Sequence, residues 1–316
     1  MAYQLSFLPQ KDKIVNVASV PLRSPFRYPG GKTWLVPRIR QWLVSLPSKP
    51  EIFIEPFAGG GIVGLSVAFE NLANHVMLVE LDHQVAAVWK TIINGEGEWL
   101  AERIENFNFS HETVDEVLEA TNLNAQEQAF QTIVKNRVNR GGILAPGAGK
   151  VKKGENGKGI ASRWYPETLS KRIRKIHNIR DRLTFIEGDG LEEIRKNLQR
   201  PEAAFFIDPP YTSGGKKAGS RLYTHSELDH DELFRICSKL AGDFLMTYSN
   251  DKTTQQLVRK YQFVMREIAM KNTHHARMTE LLISRNFDWL IYQGRVQAKL
   301  WSVGSSLTPP PLPNRT

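Results

Sequence analysis

Six short apolar runs alternate with segments of helical periodicity, and this alternation limits the folds open to the chain. The runs are EIFIE (51–55), HVMLVE (75–80), LTFIE (183–187), AAFFID (203–208), FLMTYS (244–249) and ELLISR (280–285). Most lack the in–out alternation of a half-exposed strand, as expected of strands covered on both faces. Residues 61–72, 83–93, 189–198, 227–240 and 251–260 read as the intervening helices. Strand–helix alternation of this kind predicts an α/β fold, a doubly wound parallel sheet with helices on both sides. No internal repeat is present.

The pattern breaks once. Residues 96–138 and 165–181 read as helical with no strand between them, so 96–182 is expected to be an insertion in a sheet-bearing body formed by 23–95 and 183–302. Residues 1–22 are expected to form a poorly ordered arm, and 303–316, rich in proline and serine, an extended tail. The break is also where the charge lies. Net charge is +9, yet residues 135–182 alone carry 14 Lys and Arg against three acids, so the remainder is slightly acidic. Within that segment, the loop 141–159 has seven glycines among nineteen residues. A glycine-rich, lysine-bearing loop beside basic helices suits a phosphate backbone, which flexible ammonium groups can track.

Composition removes several classes. The single cysteine, Cys237, excludes a disulfide framework and cysteine-built metal sites, and the histidines show no metal spacing. Cys237 sits mid-helix on an apolar face and is expected to be a core residue. No apolar run reaches the roughly 18 residues of a membrane span, and no signal-peptide core opens the chain. The expectation is a cytoplasmic monomer without membrane contact.

Four strand-end or turn motifs carry the chemistry. FRYPGGKTW (26–34) is not a phosphate loop, because that pattern needs glycine where Phe26 stands; it leaves a tight turn flanked by Tyr28 and Lys32. IFIEPFAGGGIVGLSV (52–67) is a strand, a glycine turn (Gly59, Gly60, Gly61) and an apolar helix, at the strand end where doubly wound sheets bind nucleotides. HVMLVELD (75–82) puts Glu80 at the next strand end, where a carboxylate accepts ribose hydroxyls; Asp82 is a rival for that role. FFIDPPYTSGG (205–215) ends a buried strand in an acid, two prolines and an aromatic. Because proline lacks an N–H, the Pro209 carbonyl need not join a ladder, so an aspartate, a carbonyl and a ring converge at the open end of the sheet.

In this order the motifs resemble the Dam-type (alpha-group) DNA adenine-N6 methyltransferases, in which an FxxxGGK segment precedes an EPFxGxG turn, a recognition insertion follows, and DPPY comes last. The resemblance extends to EGDG (187–190), LMTYSN (245–250) and TELLISR (279–285) and so covers most of 24–290. It implies a Rossmann-like S-adenosylmethionine-dependent methyltransferase fold with an inserted, mostly helical recognition domain, acting on duplex DNA with no metal. Asp208 and the Pro209 carbonyl would bind both hydrogens of the adenine amino group and return its delocalised lone pair. Tyr211 would stack on the flipped base. Tyr28, Lys32, Phe57, Gly59, Gly61, Glu80, Asp189 and Asp208 would line the cofactor site; Glu80 stands where the family commonly has aspartate.

In the insertion, Arg137, Asn139 and Arg140 are candidates for base contacts, since their side chains read guanine and adenine edges. Lys150, Lys152, Lys153, Lys158 and Arg163 are candidates for the DNA interface, the lysines as phosphate contacts. The family's N-V-P-Y-G-like segment is absent, so its usual target sequence is not implied. An RNA base methyltransferase using the same DPPY chemistry, and a non-catalytic DNA-binding module on this fold, are the alternatives. A cytosine-C5 enzyme is excluded, because Cys237 is not placed as its nucleophile.

Overall fold

The computed structural model describes residues 20–154, 157–210, 228–271 and 277–291. Among them, seven strands form one sheet in the order β3-β2-β1-β4-β5-β7-β6. The strands are β1 (Ile52–Glu55), β2 (His75–Glu80), β3 (Leu183–Glu187), β4 (Ala203–Ile207), β5 (Asp243–Ser249), β6 (Val264–Lys271) and β7 (Arg277–Ser284). β1 to β5 are parallel, as the alternation predicts.

The sixth apolar run departs from the expectation of a wholly parallel sheet. As β7 it runs antiparallel to β5 and pairs with β6, which the sequence reading lacked. β6 (VMREIAMK) is an edge strand whose Arg266 and Glu267 are exposed, so it carries no continuous apolar run to betray it.

Helices cover both faces. On one side lie α1 (Val36–Ser45), α2 (Ile62–Phe69) and α3 (His83–Thr91), packed on Phe53, Val76, Leu78, Ala204 and Phe206. On the other lie α8 (Gly190–Lys196), α9 (His230–Cys237) and α10 (Lys252–Lys260), packed on Ile52, Ile54, Phe205, Ile207 and Met246. Side chains of a strand alternate between faces, so both faces of β1 and β4 must be apolar, and every residue of these two strands is buried. Cys237 belongs to the second core and is fully buried, as expected. A last short helix, α11 (Asp288–Ile291), closes the described chain.

Between α3 and β3 come α4 (Gly97–Glu105), α5 (His111–Glu119), α6 (Ala125–Val138) and α7 (Pro166–His177), with no strand between them among the described residues. Their apolar side chains do not form a separate core. Leu100, Ile104, Phe130, Ile133, Leu169 and Ile173 are continuous with Val88, Trp89 and Ile92 of the first core. α4 lies so close to α7 that a Cβ on Gly97 would meet His177 Cβ at 2.8 Å and its ring at 2.9 Å. Of the expected arm 1–22, only residues 20–22 are described, and Val20 is buried. The tail 303–316 lies outside the described residues.

Candidate active site

The carboxyl ends of β1, β2, β3 and β4 open into one cavity of about 590 Å³. It is lined by Tyr28, Lys32, Glu55, Phe57, Gly59, Gly61, Glu80, Asp82, Asp189, Asp208 and Pro209, so the structure brings the expected cofactor and catalytic residues together. Tyr211 lies outside the described residues.

The glycine turn after β1 is fixed by bonds to its backbone. Gly59 N–H donates to Glu80 Oε2 (2.8 Å), the Gly59 carbonyl accepts from Trp89 Nε1 (2.9 Å), and the Gly60 carbonyl accepts from Ser24 Oγ (2.5 Å). Gly59 has φ +48°, and a Cβ there would lie 2.5 Å from the Tyr28 ring, so glycine is required on both counts. The turn is therefore pressed under Tyr28. One helical turn on, a Cβ on Gly64 would fall 2.6 Å from Glu55 Oε2.

Two acids sit at the strand ends. Glu55 is buried, and among the described residues its carboxylate accepts a hydrogen bond only from Gly64 N–H (2.7 Å). Burial pushes its carboxyl up to about 8; the Gly64 bond opposes this, and Asp208 and Glu80 add to it. Glu80 accepts three backbone N–H groups, from Gly59 at Oε2 and from Leu81 (2.8 Å) and Asp82 (2.9 Å) at Oε1. Burial raises its carboxyl too, against the pull of those bonds. Its rival Asp82 caps α3 through Gln84 N–H (2.8 Å), and Asp189 caps α8 through Leu191 N–H (2.6 Å) and Glu192 N–H (3.1 Å).

Asp208 follows the last residue of β4. Its Oδ1 accepts from Thr247 Oγ1 (2.6 Å) and lies 3.0 Å from Lys32 Nζ. Lys32 is 4% exposed; its ammonium also donates to the Gly30 carbonyl (3.0 Å) and stands 3.6 Å from Glu280 Oε2. The expected cofactor residue Lys32 is thus an ion-pair partner of Asp208. The sequence reading missed Thr247 and Glu280. Both lie in the stretches LMTYSN and TELLISR, but only the arrangement of the strands brings Thr247 to Asp208 and Glu280 to Lys32.

The insertion is laid out differently from expectation. Arg137 and Asn139 are buried: Arg137 Nη2 donates to the Pro25 carbonyl, and Asn139 Nδ2 to the Ile143 carbonyl (2.8 Å). Burial, with Arg172 and Arg27 nearby, pushes the Arg137 guanidinium down to about 9. Neither side chain is presented to solvent: Arg137 lies in the last turn of α6, which is covered on nearly all its circumference, and Asn139, just beyond the helix, turns back onto Ile143. Asn136, unremarked in sequence, is also fully buried and bonds Arg27 N–H (2.9 Å), the Arg27 carbonyl (3.0 Å) and the Gly142 carbonyl (2.7 Å). Together with the Ser24–Gly60 bond, this ties 24–27 both to α6 and to the glycine turn. Arg140, Lys150, Lys152, Lys153 and Lys158 are exposed, Lys150 paired with Asp115, and Arg163 is half-buried.

A chain with this sheet order, a glycine turn after β1 and an acid–proline–proline end to β4 is of the α/β, Rossmann-like methyltransferase class. It belongs to the D12 class N6 adenine-specific DNA methyltransferase family, whose model matches residues 28–273. No curated protein matches the chain. Among solved structures it is similar to the rRNA methyltransferase aviRa from Streptomyces viridochromogenes, with 13% identity, 84% of this chain and 89% of that chain covered, and TM-score 0.37. It is also similar to precorrin-6y C5,15-methyltransferase from Geobacter metallireducens GS-15, with 10% identity, 78% and 85% covered, and TM-score 0.32. At these scores neither neighbour bears on the substrate.

Proposed function

We propose that the protein is a Dam-type methyltransferase that moves a methyl group from S-adenosylmethionine to the exocyclic N6 of an adenine flipped out of duplex DNA. The observation that carries this reading is Asp208: an acid on the cavity wall beside Pro209, one oxygen already fixed, in a chain of an adenine-N6 family.

The cavity suits the donor. Glu80, Asp82 and Asp189 complement a cationic ligand, Tyr28 and Phe57 offer apolar faces, and Gly59 and Gly61 permit close backbone approach. Glu80 Oε1 already takes two N–H donors and Oε2 one, so Oε2 keeps capacity for a ribose hydroxyl, with Asp82 the rival. When bound, S-adenosylmethionine supplies a methyl group already activated by its sulfonium.

The residues supply alignment. Asp208 and the Pro209 carbonyl would accept hydrogen bonds from the two amino hydrogens, draw N6 toward tetrahedral geometry and return its lone pair; as the N6–methyl bond formed and the sulfur–methyl bond broke, one amino proton would leave by way of Asp208 to solvent. Tyr211 stacks on the flipped base. Catalysis of this kind is mostly positioning and electrostatics. The segment 96–182 serves as the DNA-recognition domain, set in the catalytic body 23–95 and 183–302. Arg140, Lys150, Lys152, Lys153, Lys158 and Arg163 meet the duplex. Arg137 and Asn139 reach bases only after leaving their buried partners. A cytoplasmic monomer fits the reading, and no helix among the described residues is long and apolar enough to cross a membrane.

The test is incubation with methyl-tritiated S-adenosylmethionine and either duplex DNA free of N6-methyladenine or total RNA. Label recovered as N6-methyladenine in DNA upholds the proposal. Label in RNA alone replaces it with the RNA enzyme. Cofactor binding by calorimetry without transfer to either would point to a non-catalytic module.

A further inference from the structure

The two oxygens of the Asp208 carboxylate are not equivalent. Oδ1 takes the Thr247 hydroxyl at 2.6 Å and faces Lys32 Nζ at 3.0 Å, whereas Oδ2 takes no hydrogen bond from any described residue. The two donors come from distant parts of the chain: Lys32 from the turn before α1, Thr247 from the middle of β5.

Register explains the meeting. β4 and β5 are parallel with Ile207 opposite Met246, so one step further Asp208 stands opposite Thr247, and adjacent side chains of paired strands point to one face. On that face, Thr247 is flanked by Leu245 on its own strand and by its β7 partner Leu282, both in the first core. Thr247 is fully buried, and its hydroxyl bonds only Asp208 among the described residues. Valine would fill the same apolar setting without a polar group to satisfy, and a buried hydroxyl is tolerated only with a partner. Here the partner is an anion, which makes the bond short and strong.

Lys32 alone would not orient the carboxylate. An ammonium is a point charge that either oxygen can approach. Lys32 is itself shared with Glu280 of β7, which pairs with Ser249 two residues beyond Thr247. A hydroxyl at fixed strand register adds the directional constraint. Resting on the reading of Asp208 as acceptor of the amino hydrogens, we infer that Thr247 is a positioning residue. With Lys32 it saturates Oδ1 and leaves Oδ2 as the oxygen that takes the substrate hydrogen.

Two substitutions test this. Thr247→Val keeps the shape and removes the hydroxyl; Thr247→Ser keeps the hydroxyl and removes the methyl group. Initial rates of tritiated methyl incorporation into plasmid DNA free of N6-methyladenine are measured against S-adenosylmethionine concentration. Loss of alignment predicts a kcat about 10- to 100-fold lower for Thr247→Val. The KM for S-adenosylmethionine and the melting temperature stay at parental values, and Thr247→Ser stays within about threefold of the parent in kcat. Parental kcat in Thr247→Val overturns the inference. Equal impairment of both variants also overturns it, by assigning the effect to packing. If the parent itself leaves DNA unmethylated, the functional reading fails, and crystal structures decide the positioning claim separately. An Asp208 carboxylate rotated in Thr247→Val and retained in Thr247→Ser upholds it; one unmoved in Thr247→Val overturns it.

Discussion

Asp208 and Glu55 are two carboxyl groups of one cavity with different environments. Asp208 has a cation and a hydroxyl on one oxygen and is partly open to the cavity. Glu55 is buried with one backbone N–H for a partner and is held up to about 8 by that burial. In the proposed reaction Asp208 accepts an amino hydrogen, so Asp208→Ala is expected to lower methyl transfer by about 10²-fold or more. Calorimetry should find duplex DNA binding retained; activity within twofold of the parent would remove Asp208 from its role. Glu55 yields a pH dependence of stability. For an acid whose folded pKa is raised, the contribution is complete below the usual carboxylate range, near 4.5, and is lost as pH climbs through about 8. Glu55→Gln keeps an acceptor for Gly64 without a charge. Its melting temperature should exceed the parent's by a few degrees at pH 9, at about 2–4 °C per kcal/mol, and approach it near pH 5. An offset that does not change between pH 5 and 9 would show that Glu55 does not titrate there.

At the level of elements, close approach sets which residues are tolerated. α2 begins against the end of β1, and a Cβ on Gly64 would stand 2.5 Å from a Leu78 methyl and 2.6 Å from Glu55 Oε2. Gly64→Ala should cost about 1–3 kcal/mol, read by denaturant midpoint, because the clash is with a buried strand side chain that has little room to move. Asn136→Ala removes three bonds at the seam between α6 and the strap 24–27 and should cost about 2–3 kcal/mol. The parallel strands, the glycine turn and the acid–proline–proline end were legible in sequence because each is a local run with its own signal. β6 was not, since an edge strand needs only one apolar side, nor was α1, which the strand–helix alternation did not require. Arg137 and Asn139 suggested base readers by residue type, but a helix covered on almost every side turns Arg137 inward, and Asn139 is taken up by the turn that follows it. Thr247 and Glu280 had no local signal at all; their part is defined by which strand lies beside which.

Across the whole molecule, the surplus charge and the chemistry lie mostly in different segments, and they meet where Gly141, Gly142 and Arg172 of the basic segment line the cavity. The surplus of Lys and Arg lies in 135–182, while the cavity at the strand ends is rich in Glu and Asp, with Lys32 pinned between Asp208 and Glu280. Lys152 and Lys153 are exposed, far along the chain from the strand-end motifs. Lys152→Gln with Lys153→Gln should weaken duplex binding whatever the sequence and flatten its salt dependence by about 1–2 in logarithmic slope. S-adenosylmethionine affinity should stay at the parental value. Unchanged DNA affinity would move the interface elsewhere. The most direct measurement of the central claim is long-read sequencing of plasmid from cells that lack adenine methylation and express either the parent or Asp208→Ala. The expected result is N6-methyladenine at one recurring sequence with the parent and none with Asp208→Ala. Unmodified adenine in both samples, or modification that persists in Asp208→Ala, would contradict it.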